Sequence, residues 1–150
     1  MAPRTLGERI DDTLAALDRE IDLWIAGVDD DGEPRLALLS FLWWEEALLV
    51  ATSLRSATGR NLLRGGSARL GLGGTRDVVL IEAAVERAEP TDDVAVRYAA
   101  KAGWNPAGLD GSGWFRLAPR SIQAWREEDE LAGRWIHRDG AWLADDPSAP

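Results

Sequence analysis

A chain of 150 residues with 45% hydrophobic and 29% charged side chains is most simply one globular domain, 1–150, with a sizeable core. Its formal charge of −9 argues against a general nucleic-acid binder, which would present a basic face, and the lack of cysteine excludes disulfides, thiolate metal sites and cysteine nucleophiles. The N-terminus shows no apolar signal region and no apolar run reaches membrane length, so a cytoplasmic protein without a membrane partner is expected.

Thr5–Arg19 reads as an amphipathic helix, filling most of an N-terminal segment 1–20. Leu6, Ile10, Leu14 and Leu17 share one face, and Thr5 with Glu8 forms a capping-box pattern. Asp22–Val28 is a short apolar strand. The turn Asp29–Pro34 carries the hairpin signal Asp31-Gly32; its four acids lack the spacing of a calcium loop, so it reads as a solvated turn. Arg35–Trp44 is apolar almost throughout, as in a strand buried on both faces in a barrel core or at a dimer contact. Glu45-Glu46 turns the chain into Ala47–Thr52, and Ser56–Arg64 is a short helix stopped by Gly65-Gly66.

Ser67–Leu72 and Asp77–Arg87 are further strands. In the second, Val79, Ile81, Ala83 and Val85 alternate with Glu82 and Glu86. Thr91–Ala102 is a helix with Thr91 as its cap, and 103–113 is a loop. Trp114–Trp125 alternates again, with Pro119 marking an edge or a bulge. Arg134–Leu143 holds a second hairpin signal, Asp139-Gly140, and 145–150 is a polar tail expected to be disordered. Six or seven strands with two or three helices give a mainly β fold, a small barrel with flanking helices.

Several chemistries find no support. His137 is the only histidine, which makes zinc binding and a Ser-His-Asp triad unpromising; a surface or half-buried hairpin position is expected for it. Gly71-Leu72-Gly73-Gly74 has neither the third glycine nor the following helix of a dinucleotide fingerprint. Lys101 is the only lysine, expected on a surface helix, which weakens Schiff-base chemistry. A chain so short of reactive side chains suits a borrowed cofactor.

What remains is a positive island. Between Ala47 and Arg76 there is no Asp or Glu, while Arg55, Arg60, Arg64, Arg69 and Arg76 supply five positive charges. Thr52, Ser53, Ser56 and Thr58 add hydroxyls at a strand-to-helix junction, where a phosphate would find donors. The competing reading is that a serine caps the helix while the arginines are solvated.

The order of motifs from Asp22 onward resembles the pyridoxamine 5′-phosphate oxidase-like, FMN-binding split-barrel family. The matching pieces are Asp22–Ala26, Asp31–Pro34, Leu39–Phe41, Ala51-Thr52, Arg60–Leu62, Thr75–Leu80 and, as the last barrel strand, Trp114–Arg126. The resemblance implies a homodimer of split barrels with two cofactor sites between the subunits. It places the flavin phosphate near Thr52–Asn61, at Thr52, Ser53, Arg55, Ser56, Thr58, Arg60 and Asn61. The ring would lie along Leu39, Ser40 and Phe41, with Trp125 and Arg126 approaching from the last strand, from the same or the partner subunit. A branch of the family uses an 8-hydroxy-5-deazaflavin coenzyme in place of FMN.

Many members carry a basic pair just before the cofactor helix; here those positions are Ala57 and Thr58, leaving Arg55 and Arg60 as the candidates to replace it. The function implied is hydride transfer between a flavin or deazaflavin and a small planar substrate. The alternatives are a flavin-free protein of the same fold and a non-catalytic dimeric barrel that binds, carries or senses a phosphorylated ligand or flavin. Pyridoxamine phosphate oxidation itself ranks lower, because the chain is short and its phosphate-binding basic residues do not clearly match. Of eight tryptophans, most are expected to pack in the core or an interface, with Trp125 and then Trp44 as ligand neighbours.

Overall fold

The computed structural model describes residues 2–146. Its six long strands are β1 (Asp22–Val28), β2 (Pro34–Trp44), β3 (Ala47–Ser53), β4 (Gly66–Leu72), β5 (Val78–Ala88) and β6 (Ser112–Trp125). All neighbours are antiparallel in the order β3-β2-β1-β4-β5-β6, and β3 pairs again with β6, so the sheet closes on itself. Closure leaves no edge strand among these six, although residues 34–40 of β2 are paired only on their β1 side. A short hairpin, β7 (Trp135–Arg138) and β8 (Ala141–Trp142), extends the sheet beyond β6.

Alternation sets the interior. Leu23 and Ile25 of β1 point inward with Phe41, Leu48, Val50, Leu70, Ile81, Phe115, Leu117 and Ile122. Burying each large apolar side chain contributes about 1.5–3 kcal/mol. The same pleat sends Trp43 toward the core and Trp44 outward. Beside Pro119 the β5–β6 ladder shifts register between Glu82 and Ala83, the irregularity expected where a proline interrupts pairing.

Helix α1 (Leu6–Arg19) begins with the full capping box, Thr5 Oγ1 accepting from Glu8 N and Glu8 accepting from Thr5 N. Helix α3 (Asp92–Ala102) lays Val94, Ala95 and Tyr98 against the sheet. It packs chiefly on β2, and Ala47, Leu49 and Ala51 on the outer side of β3 are buried as well. Thr91 is the cap residue of α3, but its side chain makes no capping bond.

Helix α2 (Ala57–Leu63) sits directly on the end of β3. A Cβ on Gly59 would stand 2.0 Å from the Ser53 carbonyl oxygen, so this contact requires glycine. Strand β6 starts two residues before the expected Trp114, because Ser112 and Gly113 pair with Ser53 and Thr52.

Two residues sit deeper than expected. Lys101 is not a surface lysine: it is half-buried, its Nζ donating to the Leu17 carbonyl at 3.2 Å and lying 3.8 Å from the centre of the Phe41 ring. Burial lowers its pKa. His137 is buried, its ring edge-on to Trp142 at 5.0 Å with Nδ1 unpartnered, and burial lowers its pKa too. Of the tail expected at 145–150, residues 147–150 lie outside the described residues, whereas Asp146 stands 3.4 Å from the buried guanidinium of Arg9. No helix among the described residues is long and apolar enough to cross a membrane.

Candidate functional site at the β3–α2 junction

The strand-to-helix turn is built by its serines. Ser56 Oγ accepts from Gly59 N at 2.9 Å, capping α2, and donates to the Ser53 carbonyl at 2.7 Å. Both roles of that hydroxyl are internal, as the capping reading expects. Ser53 Oγ accepts from Arg55 N at 3.3 Å. The Arg60 guanidinium donates to the Arg55 carbonyl. Thr52, Thr58 and the Arg55 guanidinium have no side-chain hydrogen bond among the described residues, and Arg55 has no carboxylate within ion-pair distance.

The positive island is largely neutralised from elsewhere. Arg64 pairs with Asp30 and also donates to the Val28 carbonyl. Arg69 reaches Glu82 at 3.1 Å and Arg76 reaches Glu127 at 2.9 Å. The turn after β1 therefore does more than face solvent. Asp29 accepts from Arg35 Nε and Nη2, both at 2.8 Å, and from Asn61 Nδ2 at 2.9 Å. These bonds, Arg35 first and Asn61 second, hold the Asp29 carboxyl down at about 2. Asn61 is thus tied to the β1–β2 turn. A cavity of about 50 Å³ between this turn and α2, lined in part by Arg35, Thr58 and Asn61, has room for water only.

The expected ring strand divides by pleat. Leu39 packs against the core and Phe41 is fully buried within it, so their side chains face the barrel interior. Only Ser40 turns outward, its hydroxyl donating to Asp22 at 2.7 Å. Its carbonyl accepts from the Tyr98 hydroxyl at 3.2 Å, and burial pushes that phenol up to about 12, keeping it a neutral donor.

The outward positions beside Ser40 were not singled out by sequence. Leu38, Trp24, Gly71 and Leu80 stand in register across four strands, and Leu36 lies next to them. Leu36 is 64% exposed, Leu38 58% and Trp24 49%. A β2 strand apolar on both faces is therefore covered on one face only over this stretch. The signal was present in the period-two phase of Leu36 and Leu38 with Trp24.

Trp125 and Arg126 lie at the end of the 14-residue strand β6 opposite to the junction. Arg126 there pairs with Asp77 at 3.3 Å and Asp12 at 3.4 Å. Within a single chain they are therefore not brought to Thr52–Asn61.

No protein-family model matches the chain, and no curated protein matches it in sequence. Solved structures do match. A proposed pyridoxamine 5′-phosphate oxidase from Listeria innocua shares 14% identity over 78% of this chain and 98% of its own, with a TM-score of 0.64. An F420 reductase shares 17% identity over 72% and 93%, with a TM-score of 0.60. HutZ, the heme storage protein from Vibrio cholerae, shares 18% identity over 78% and 95%, with a TM-score of 0.61.

The chain has the split-barrel fold of the pyridoxamine 5′-phosphate oxidase-like proteins.

Within this split barrel the junction fits a phosphate group in part. Arg55 and the hydroxyls of Thr52, Ser53 and Thr58 can donate to it, whereas Ser56, Arg60 and Asn61 are already engaged.

Proposed function

We propose that this split barrel is a homodimeric oxidoreductase that uses FMN, or alternatively an 8-hydroxy-5-deazaflavin coenzyme, to move hydride to or from a small planar substrate. The observation that carries the reading is Arg55, an arginine without a carboxylate partner among the described residues, in the turn between β3, with the unpartnered Thr52 hydroxyl, and α2, with that of Thr58. Arg55, Ser53, Thr52 and Thr58 would hold the phosphate by charge-assisted and hydroxyl hydrogen bonds. A bound flavin or deazaflavin ring supplies the hydride chemistry. The chain's own part is to orient the ring along the outer face of β2 near Ser40, and to exclude water with the apolar row of Leu38 and Trp24. The likeness to an F420 reductase supports the deazaflavin arm, and that to HutZ makes heme the control ligand.

The second subunit follows from the same row. Trp24, Leu36, Leu38 and Leu80 form an apolar strip across the sheet, the kind of surface that an obligate interface of more than ~2,000 Å² buries. The partner's Trp125 and Arg126 are the residues expected to complete each cofactor site.

A second reading, a barrel that only carries or senses a phosphorylated ligand, is favoured by one observation. Among the described residues the junction's carboxylate, Asp29, is already bonded to Arg35 and Asn61 and leaves no free acid or base there. Absorbance of the purified protein, followed by calorimetric titration with FMN, the deazaflavin coenzyme and heme, separates the readings. Uptake of FMN or deazaflavin with reduction by a hydride donor supports the enzyme. Uptake without turnover supports the carrier. A colourless protein that binds neither removes the flavin reading, and sedimentation as a monomer at micromolar concentration removes the shared site.

A further inference from the structure

At the end of β3 opposite to the junction, a cavity of about 480 Å³ opens where the β2–β3 hairpin, the end of β5 and the start of α3 meet. That volume falls within the ~300–1,000 Å³ of small-molecule sites. Its apolar floor includes the buried Leu49 and Val94, with the Trp44 ring beside them.

The charges around this floor are mostly not paired with one another, in contrast to Arg69 with Glu82 and Arg4 with Glu130. Here Arg116 alone is engaged, 3.8 Å from Glu86 and donating to the Glu45 carbonyl. Arg87 and Arg97 have no carboxylate within ion-pair distance among the described residues. Each instead lies over an aromatic ring, Arg87 over Phe115 at 5.4 Å and Arg97 over Trp44 at 5.1 Å. A stacked guanidinium keeps its edge N–H donors free for a carboxylate. On the same lining, the side chains of Glu45, Glu89 and Asp93 also lack an ion-pair partner among the described residues. The Thr91 hydroxyl, which makes no capping bond, adds another polar contact.

Free charges of both signs around an apolar floor complement a ligand that carries both signs and an apolar body. A simple anion would meet three carboxylates, and a simple cation two free guanidiniums. We propose that this cavity binds a free aromatic α-amino acid. Its carboxylate meets Arg87 and Arg97, its ammonium meets the group Glu45, Glu89 and Asp93, and its ring lies against Trp44 and Leu49. The site is separate from the flavin reading and stands or falls without it.

The test is calorimetry with the full chain and no added cofactor, using phenylalanine, 3-phenylpropionate and phenethylamine as probes. Phenylalanine is expected to saturate one site per chain. The probes lacking either the ammonium or the carboxylate are expected to bind at least about tenfold more weakly. Arg97→Leu, at an exposed position that leaves the fold intact, is expected to weaken phenylalanine about tenfold and leave phenethylamine unchanged. Absence of saturable phenylalanine binding would overturn the proposal. So would equal affinity for either truncated probe, or an unchanged phenylalanine affinity in both Arg97→Leu and Arg87→Leu.

Discussion

Arg4 and Arg55 stand at opposite ends of a scale of partnering. Arg4 Nε and Nη2 donate to Glu130 at 2.9 and 2.8 Å, its backbone N donates to the same carboxylate at 2.9 Å, and Nη1 donates to Asp12 at 2.9 Å. Arg126 N adds a further bond to Glu130 at 2.9 Å. The Arg55 guanidinium is exposed at the end of β3 and bonded to no carboxylate among the described residues. In sequence Arg55 belongs to the acid-free, arginine-rich stretch 47–76, and Arg4 does not. What separates them is which acids the fold brings to each, so clustering of arginines along the chain is a weaker guide to a binding site than their lack of partners in space.

The largest expected effect comes from breaking the satisfied end. Glu130 is only 4% exposed and anchors both Arg4 and the Arg126 backbone. Glu130→Gln removes the buried counter-charge of Arg4 and leaves it only the more exposed Asp12 and the more distant Asp77. It should cost about 3–5 kcal/mol, the range for removing one partner of a buried pair. Chemical denaturation of both proteins at neutral pH measures it; a loss inside experimental error would show the cluster to be ordinary surface charge. Chiefly through its hydrogen bond with Arg4, Glu130 titrates at about 2 instead of 4.5. The sign follows: the contribution is complete above pH 4.5 and is lost as pH falls toward 2.

Next in size is the unsatisfied end. Arg55→Ala should weaken FMN or deazaflavin binding by about 1.5–3 kcal/mol, the range of a hydrogen bond to a charged group. Arg69→Ala should leave it unchanged, because Arg69 is turned to Glu82 on the outer sheet. Thr58→Lys should tighten it by adding a cation beside the same donors. Calorimetry at two salt concentrations checks all three, since screening acts over about 8–10 Å. Equal affinity of wild type and Arg55→Ala would make Arg55 a solvated residue and the junction a plain helix cap.

Much of the barrel was legible because it rests on local signals. Alternation in β5, the two Asp-Gly turns and the Thr5–Glu8 box each act within a few residues, and each element formed where expected. Most of the failures involve partners that arrive from far along the chain. The face expected of α1 was Leu6, Ile10, Leu14 and Leu17, yet Arg9 is buried there too, because the Arg4 carbonyl and Asp146 receive its guanidinium. Lys101 is drawn inward by a carbonyl on α1, 84 residues away. The positive island was a correct count of charge with an incomplete reading of potential, since Asp29, Asp30, Glu82 and Glu127 come from outside it. The apolar row at Leu36 and Leu38 was visible in the alternation, but which face α3 would cover was not.

A smaller effect separates capping from ligand binding at the junction itself. Ser56→Ala removes the hydroxyl that accepts from Gly59 N. It should lower stability by about 1 kcal/mol, the typical worth of an N-cap. Its effect on cofactor affinity should be less than that of Arg55→Ala, because both hydrogen-bonding roles of Ser56 are internal. If Ser56→Ala instead weakens the cofactor more than Arg55→Ala does, the serine is a ligand contact and the comparison between paired and unpaired donors fails at this residue.

The finest distinction lies with Asp29, the carboxylate that the β1–β2 turn delivers to α2. It accepts from Arg35 and Asn61, and the charge of Arg60 acts on it in the same direction. A carboxyl lowered from 3.8 to about 2 contributes stability that is complete above pH 4 and lost as pH falls toward 2. Because the group lies at the molecular surface, where solvent screens it, that contribution is small. Thermal melts at pH 5 and pH 3 should show a slightly larger drop for wild type than for Asp29→Asn, and the difference between the two proteins cancels the parallel titration of Glu130. The same substitution frees Arg35 and weakens the hold on Asn61. It therefore moves the junction away from the self-satisfied state of the Arg4 cluster and toward that of Arg55. Asp29→Asn should bind FMN more tightly than wild type at low salt, with the gain shrinking at high salt. An unchanged affinity at both salt concentrations would place the anion, if one binds, at Arg55 alone and out of reach of the turn.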